Sequence, residues 1–430
     1  MKIAILGFGL EGQAAYDYWQ ADNDITICDL NPALDVPVGA QSQLGDDYLS
    51  NLEQYDMVVR SPQIHPSLIA TVADKTTTNT NEFMRVCPSQ NIIGVTGTKG
   101  KGTTSTLIAR MLEATGATVH LGGNIGIPPL ELLQENIQPT DYVVLELSNF
   151  QLIDLRTSPH VAVCLMVEPE HLDWQEDFEE YISSKQQLFI HQQDTDIAIY
   201  YAANENSVSV ADASIGVRIP FYEQPGACVA DGKIMINNLE ICQTSELQLL
   251  GEHNWQNVCA AVTAVWQSSQ DVAAMRSVLT TFSGLPHRIE FVRELDNVRY
   301  YNDSFASGPP ATEAAIAAIS GPIVLILGGY DRMPPLEDFA SFISANSGEF
   351  RTVHIIGASG PRLAQALKDT GFTNFTLDTA SKTMIDVVTK ARSLALPGDS
   401  VVLSPGFASF DMFKNFEDRG LQFKEVVGNL

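Results

Sequence analysis

The stretch Asn91–Thr106, NIIGVTGTKGKGTTST, constrains this chain more than any other. Ile92, Ile93 and Val95 read as the end of a buried strand. Gly97-Thr98-Lys99-Gly100-Lys101 reads as a glycine-rich turn, and Thr103 to Met111 as the first turns of a helix. That succession builds a phosphate cradle. The glycines let backbone N–H groups converge on an anion, the helix N-terminus adds its positive end, and a lysine reaches the terminal phosphates. Two positions depart from the strict P-loop spacing. Val95 stands at the place of the first glycine, and Gly102 at the place of the metal-binding Ser or Thr. Thr103 or Thr104 then has to supply the hydroxyl.

A chain of 430 residues exceeds one ordinary core, so two or three domains are expected. With 45% hydrophobic and 18% charged residues it reads as folded and globular. No apolar run is long enough to predict a membrane span, and MKIAILGFGLEG reads as a first strand, not a signal peptide. The six cysteines show no CxxC spacing and several sit in apolar runs, which predicts buried free thiols in a reducing cytoplasm. A net charge of −27 repels a polyanion and argues against a nucleic-acid partner. Against that background Lys99 and Lys101 stand out.

Taken in order, MKIAILG feeds Gly7-Phe8-Gly9-Leu10-Glu11-Gly12, a G-x-G-x-x-G turn, then a helix to about Trp19 and a strand Asp24–Cys28 ending at Asp29. Asp29 is placed to accept a hydrogen bond from a ribose or a nucleobase. The strand 56–60 runs into Ser61-Pro62-Gln63, which puts Ser61 at the carboxyl edge of a sheet, where ligands bind. After the cradle comes Gly122-Gly123-Asn124, and then the strand 141–147, DYVVLEL. Glu146 is the one charge in the apolar part of that strand, a place where a P-loop protein holds magnesium. The strand 161–167 leads into Glu168-Pro169-Glu170-His171, and a helix 177–189 carries Lys185. By spacing alone Lys185 is an exposed helix lysine and His171 a metal ligand, a substrate contact or a surface histidine.

Residues 208–250 read as hairpin and loop, with turns at Asp231-Gly232 and Asn237-Asn238. Asn254 and Asn257 lie three apart and face one side of a helix running to about Trp266. FSGLPHRIE, 282–290, marks a domain joint. Beyond it strands and helices alternate again, closing with a helix from about Met412 to Val427. The expected architecture is α/β with domains 1–88, 89–287 and 288–430: a Rossmann-like domain, a P-loop ATPase domain, and a smaller Rossmann-like domain.

These segments resemble, in order and over the whole chain, the Mur ligase family of peptidoglycan synthesis. GFGLEG and RSPQIHPS resemble its UDP-binding domain, and GVTGTKGKGTT its P-loop. GGNIGIP, ELSNFQL, EHLDWQEDFEEYISSKQQLF, GEHNWQNVCAA and GLPHRIE resemble its central signatures. NDSFASGPPATEAAI and LSPGFASFDMFKNFEDRGLQF resemble its carboxyl-terminal domain, and the pattern is nearest the D-glutamate-adding branch. The resemblance implies ATP-dependent joining of D-glutamate to UDP-N-acetylmuramoyl-L-alanine, with magnesium, by a cytoplasmic monomer with no nucleic-acid or membrane partner.

It also implies roles. Gly97, Thr98, Lys99, Gly100, Lys101, Gly102 and Thr103 would cradle ATP, with Asn254, Asn257, Arg288 and Asp303 on the adenine nucleotide. Thr103, Glu146, His171 and a carbamylated Lys185 would serve magnesium, with Lys101, His171 and Lys185 catalytic. Leu10, Glu11, Asp29, Ser61 and Asn124 would hold the UDP-sugar, and Ser307, Arg332, Ser409 and Phe416 the D-glutamate. Phe305 and Arg332 stand where the family often has lysine, and Met166 where it commonly has Asn. A nicotinamide-dependent oxidoreductase, the rival that GFGLEG suggests, leaves the second phosphate loop without a purpose.

Overall fold

The computed structural model describes residues 1–171, 174–249, 251, 253–333 and 335–430. Leu172, Asp173 and Glu252, which belong to two of the central signatures, lie outside the described residues. The chain divides into two compact units, one of 1–248 with 252–282 and one of 249–251 with 283–430.

The first unit holds two parallel sheets. One has strand order Gln41–Leu44, Asp24–Asp29, Lys2–Leu6, Met57–Arg60, Thr76–Thr77. Ile3, Ala4, Ile5 and Leu6 are all fully buried, as expected of a central parallel strand covered on both faces. The other runs Val217–Phe221, Ile197–Tyr201, Val161–Cys164, Ile92–Thr96, Tyr142–Glu146, Val119–Gly123. Its middle strand Ile92–Thr96 feeds the glycine turn, so the cradle sits at the carboxyl edge, between the ends of Val161–Cys164 and Tyr142–Glu146. A single apolar cluster joins the two sheets through residues such as Phe83, Leu130 and Leu152.

Local chemistry sets the helix boundaries. Thr78 accepts from the Asn81 amide and starts a helix Asn79–Val86 that sequence periodicity does not predict. Asp177 accepts from Glu180 N, so the Lys185 helix begins at Phe178. The expected hairpin region is a three-stranded antiparallel meander, Cys228–Ala230, Lys233–Ile236, Leu239–Gln243. Both anticipated turns are present, with positive φ at Asp231, Gly232, Asn237 and Asn238, the geometry that two-residue hairpin turns require.

The second unit is one six-stranded sheet, Glu290–Leu295, Val298–Asn302, Ser400–Leu403, Ile323–Leu327, Phe350–Ile355, Phe375–Leu377, with only the first strand antiparallel. Helices cover both faces over separate apolar clusters around Leu325 and Val324. The closing helix is Phe416–Gly428, shorter at its start than the expected Met412, because Asn415 caps it by accepting from Asp418 N. Strand 161–167 likewise ends at Cys164, and the remaining residues form the loop over the cradle. Cys28, Cys87, Cys164, Cys242 and Cys259 are buried free thiols, as expected, while Cys228 is half-buried. Among the described residues no helix is long and apolar enough to cross a membrane.

Candidate active site

The cradle depends on two glycines. Gly97 has φ +146°, and a Cβ there would meet Leu165 Cβ at 2.7 Å. Gly100 has φ +87°, and its Cβ would lie 2.1 Å from Asn257 Oδ1. A side chain fits neither place. The close approach at Gly100 brings the Asn254/Asn257 pair against the turn, and Asn257 Nδ2 donates to Asn254 Oδ1 at 2.8 Å. Thr98 Oγ1 donates to Glu168 O (3.0 Å) while the Glu168 amide donates back to Thr98 Oγ1 (2.9 Å), which ties the turn to the loop before His171. The helix then begins at Lys101, with Gly102, Thr103 and Thr104 buried in its first turn and Lys99 exposed.

Lys101 Nζ donates to the carbonyls of Gly97 (2.9 Å) and Thr98 (2.8 Å). Lys185 Nζ donates to the same Gly97 carbonyl at 3.2 Å. The expectation of an exposed lysine fails here: Lys185 is 1% exposed, on the inward face of its helix, 4.3 Å from the Tyr181 ring centre. Burial, then the neighbouring Lys101 charge, pulls its ammonium down from 10.5 to about 7. A lysine with that pKa is substantially a neutral amine near neutral pH, and so a nucleophile.

Glu146 is buried at its strand end, and its Oε1 accepts from Asn124 Nδ2 at 2.7 Å. His171 is exposed with φ +58°, its ring 4.9 Å from Phe150 and its Nε2 3.7 Å from Glu170 Oε2. Among the described residues no three His, Cys, Asp or Glu side chains converge as a ready metal cluster.

At the edge of the first sheet, two expected ligand contacts also hold the turn itself. Asp29 Oδ2 accepts from Phe8 N and Oδ1 from Asn31 N, both at 2.8 Å. Its carboxylate thus holds the G-x-G turn in shape. Ser61 Oγ donates to Gly7 O at 3.0 Å and does the same from the other side. Leu10 is 71% exposed at the start of the helix. Glu11 Oε1 accepts from Gln151 Nε2 at 2.7 Å, while Oε2 is buried without a partner. Burial pushes this carboxyl from 4.5 up to about 7, against the hydrogen bond from Gln151 and the Arg60 charge.

In the second unit Arg288 lies 4.4 Å from the Phe305 ring centre, and Phe305 meets Phe416 edge-on at 5.2 Å. His287 and Ile289, on either side of Arg288, both have positive φ, a strained backbone for a β-branched residue. Asp303 is buried, accepting from Ser404 Oγ (2.6 Å) and Ile289 N (3.0 Å). Burial raises it from 3.8 to about 7. Arg332 sits 5.7 Å from the ring centre of exposed Phe410, next to buried Ser409. Ser307 is exposed and donates to Phe305 O (3.3 Å).

Sequence reasoning passed over Gln151 and Arg60. Gln151 accepts from Ser148 N in a capping box and donates to Glu11, linking the segment after Glu146 to the first glycine turn. S-x-x-Q after a strand is the signal that marks it.

A family model described as the Mur ligase middle domain matches residues 95–265. The UDP-N-acetylmuramoylalanine--D-glutamate ligase of Clostridium kluyveri is 38% identical over 403 residues, covering 90% of this chain and 86% of its own. That of Acetivibrio thermocellus is 36% identical over 455 residues, covering 100% and 96%. Among solved structures, MurF of Acinetobacter baumannii superposes with TM-score 0.62 at 14% identity, covering 99% of this chain and 93% of its own. MurF of Thermotoga maritima, in complex with ADP, gives 0.59 at 15%, covering 99% and 94%. Fold and cradle together define an ATP-dependent ligase of the Mur type. Within that class, the chain belongs to the UDP-N-acetylmuramoylalanine--D-glutamate ligase family.

Proposed function

We propose that this ligase joins D-glutamate to UDP-N-acetylmuramoyl-L-alanine at the expense of ATP, in the cytoplasm, as a monomer, with magnesium. Its three functional domains are 1–88 for the UDP-sugar, 89–287 for ATP and 288–430 for the amino acid. One observation carries the reading: the Nζ atoms of Lys101 and the buried Lys185 meet on the Gly97 carbonyl inside a phosphate cradle. Lys101 supplies positive charge where two anions must be brought together, and Lys185 supplies a neutral amine that can take up carbon dioxide.

The substrate carboxylate attacks the γ-phosphorus of ATP, giving an acyl phosphate and ADP. The amine of D-glutamate then attacks the acyl carbon, and phosphate leaves with the carbonyl–oxygen electron pair. The amides of the 97–103 turn bind the phosphates, and Lys101 swings from its own loop carbonyls to the transferring phosphoryl group. Asn254 and Asn257, seated against Gly100, and Arg288 and Asp303 serve the adenine nucleotide. Leu10, Glu11, Asp29, Ser61 and Asn124 serve the UDP-sugar, and Asp29 and Ser61 also maintain the shape of the glycine turn. Arg332 takes a carboxylate of D-glutamate, with Ser307, Ser409 and Phe416 lining its pocket.

The residues present fit magnesium. Glu146 is a buried carboxylate with a single amide donor, which suits a cation partner. Thr103 brings a hydroxyl in the first turn of the cradle helix, His171 a ring nitrogen, and Lys185, once carbamylated by carbon dioxide, a new carboxylate beside Gly97. When bound, magnesium screens the phosphate charge and activates the γ-phosphoryl group.

The test is formation of the UDP-N-acetylmuramoyl-L-alanyl-D-glutamate product with ATP, magnesium and both substrates. Turnover with L-alanine on UDP-N-acetylmuramate, and none with D-glutamate, overturns the assignment.

A further inference from the structure

Arg60 ends the Met57–Arg60 strand, and its side chain is entirely buried. Such a position ordinarily takes an apolar residue, since a buried charge is costly unless fully paired. Here the guanidinium is committed through all three nitrogens. On one side, Nη1 donates to the carbonyls of Ser61 (3.2 Å), Pro62 (3.3 Å) and Ile64 (2.8 Å), which curls the loop after the strand around it. On the other, Nε and Nη2 grip Asp154 at 2.9 and 2.6 Å, and Nη2 also donates to Phe150 O at 3.0 Å.

The two sides are functional segments. Ser61 in turn holds Gly7 of the glycine-rich turn, and Trp174 Nε1 donates to Gln63 O at 3.0 Å. Phe150 follows Glu146 by one short turn and carries the His171 and Trp174 rings against its own, at 4.9 and 4.7 Å. One side chain thus sets the distance between the edge of the first sheet and the Glu146–His171 end of the second. Asn81 Nδ2, donating to Asp154 O at 2.9 Å, buttresses the far side.

We propose that Arg60 is a positioning residue for the reaction, holding the 61–64 loop and the 148–154 segment at a fixed separation so that the UDP-sugar's carboxylate end meets the phosphate cradle in register. This rests on the reading of the first sheet's edge as the UDP-sugar site. Arg60 touches no reacting atom; it acts through the carbonyls and the carboxylate that it joins. A planar fork can bond in opposite directions at once, and an ammonium cannot.

The experiment compares wild type, Arg60→Met, Arg60→Lys and Asp154→Asn. It uses calorimetric binding of UDP-N-acetylmuramoyl-L-alanine and, separately, of ADP, together with KM and kcat for each substrate. Displacing the loop raises KM for the UDP-substrate about tenfold or more in Arg60→Met. Asp154→Asn, which keeps the three loop carbonyl bonds and so keeps the fold, moves it in the same direction by less. ADP affinity stays within about twofold of wild type in both. Arg60→Lys recovers only part of the loss. Unchanged UDP-substrate affinity in a folded Arg60→Met overturns the proposal. So does an unaltered Asp154→Asn if Arg60→Met loses ADP and UDP-substrate binding together. Wild type that binds ADP but not the UDP-substrate fails the underlying substrate reading instead, before any variant is compared.

Discussion

The ammonium groups of Lys101 and Lys185 share one acceptor, the carbonyl of Gly97, at 2.9 and 3.2 Å. They come from different helices, 84 positions apart in sequence, and meet where the cradle strand and the Lys185 helix close on one another over Gly94 and Leu188. Two like charges on one oxygen is an arrangement waiting for an anion or for the neutralisation of one partner. Lys185, the more buried, is the one whose proton is loosened, to about 7.

Carbamate formation at Lys185 is the expected outcome. Only the neutral amine adds carbon dioxide, so the modified fraction climbs as pH rises through about 7. Native mass spectrometry in bicarbonate buffer is expected to show one added carbon dioxide, absent from Lys185→Ala. Turnover of that variant falls about a thousandfold or more, from the loss of a preorganised charge, with partial rescue by a small carboxylic acid.

Gly100→Ala places a methyl carbon where Asn257 Oδ1 now sits and demands a left-handed backbone from an L residue. The backbone term alone is roughly 1–2 kcal/mol. KM for ATP is expected to rise about tenfold or more, while affinity for the UDP-substrate, whose turn at 7–12 is untouched, stays at the wild-type value. Parallel titrations with ADP and the UDP-substrate decide it.

Glu11 and Asp303 give stability a pH signature. Each carboxyl keeps its proton to about 7 in the fold, whereas the unfolded chain releases it near 4.5 and 3.8. The unfolded state therefore binds fewer protons across that window, and the contribution of each group is full below its unfolded value and lost as pH rises through about 7. Thermal melts from about pH 5 to about pH 8 should decline for wild type and decline less for Glu11→Gln, which keeps Asp303, with the difference between the two proteins largest at the alkaline end. A Glu11→Gln melt that parallels wild type throughout contradicts this.

Arg332 reaches over Phe410 with a planar cation. Arg332→Ala is expected to raise KM for D-glutamate about tenfold or more and to leave KM for ATP alone. Arg332→Lys restores part of the loss, because the charge returns without the fork. Initial rates with D-glutamate varied at saturating ATP measure both.

The parallel strands were legible because IAIL, VVL and IVLIL are continuous apolar runs, and the meander because Asp231-Gly232 and Asn237-Asn238 announce their turns. Gln41–Leu44, QSQL, was not, since an edge strand needs no apolar face. Glu290–Leu295 was not, because it starts on the last residue of the joint at 282–290 and carries charges at Glu290, Arg293 and Glu294. The glycine turns declared themselves by composition. The burial of Lys185 did not: its inward direction depends on which face of Phe178–Ile190 meets the sheet, and SSKQQLF permits either. Nor could Asp29 be known to spend both oxygens on amides of Phe8 and Asn31, because that requires the closed geometry of the turn.

The outer strands of the first sheet are stunted. Thr76–Thr77 offers two residues of ladder, and on the opposite side Gln41–Leu44 offers four, three of them polar. A neighbouring molecule looking for a template finds almost no unsatisfied backbone to copy and little apolar surface to grip. At high concentration the protein can thus carry an all-parallel sheet with a nearly complete apolar interior and remain a poor seed for edge-to-edge aggregation.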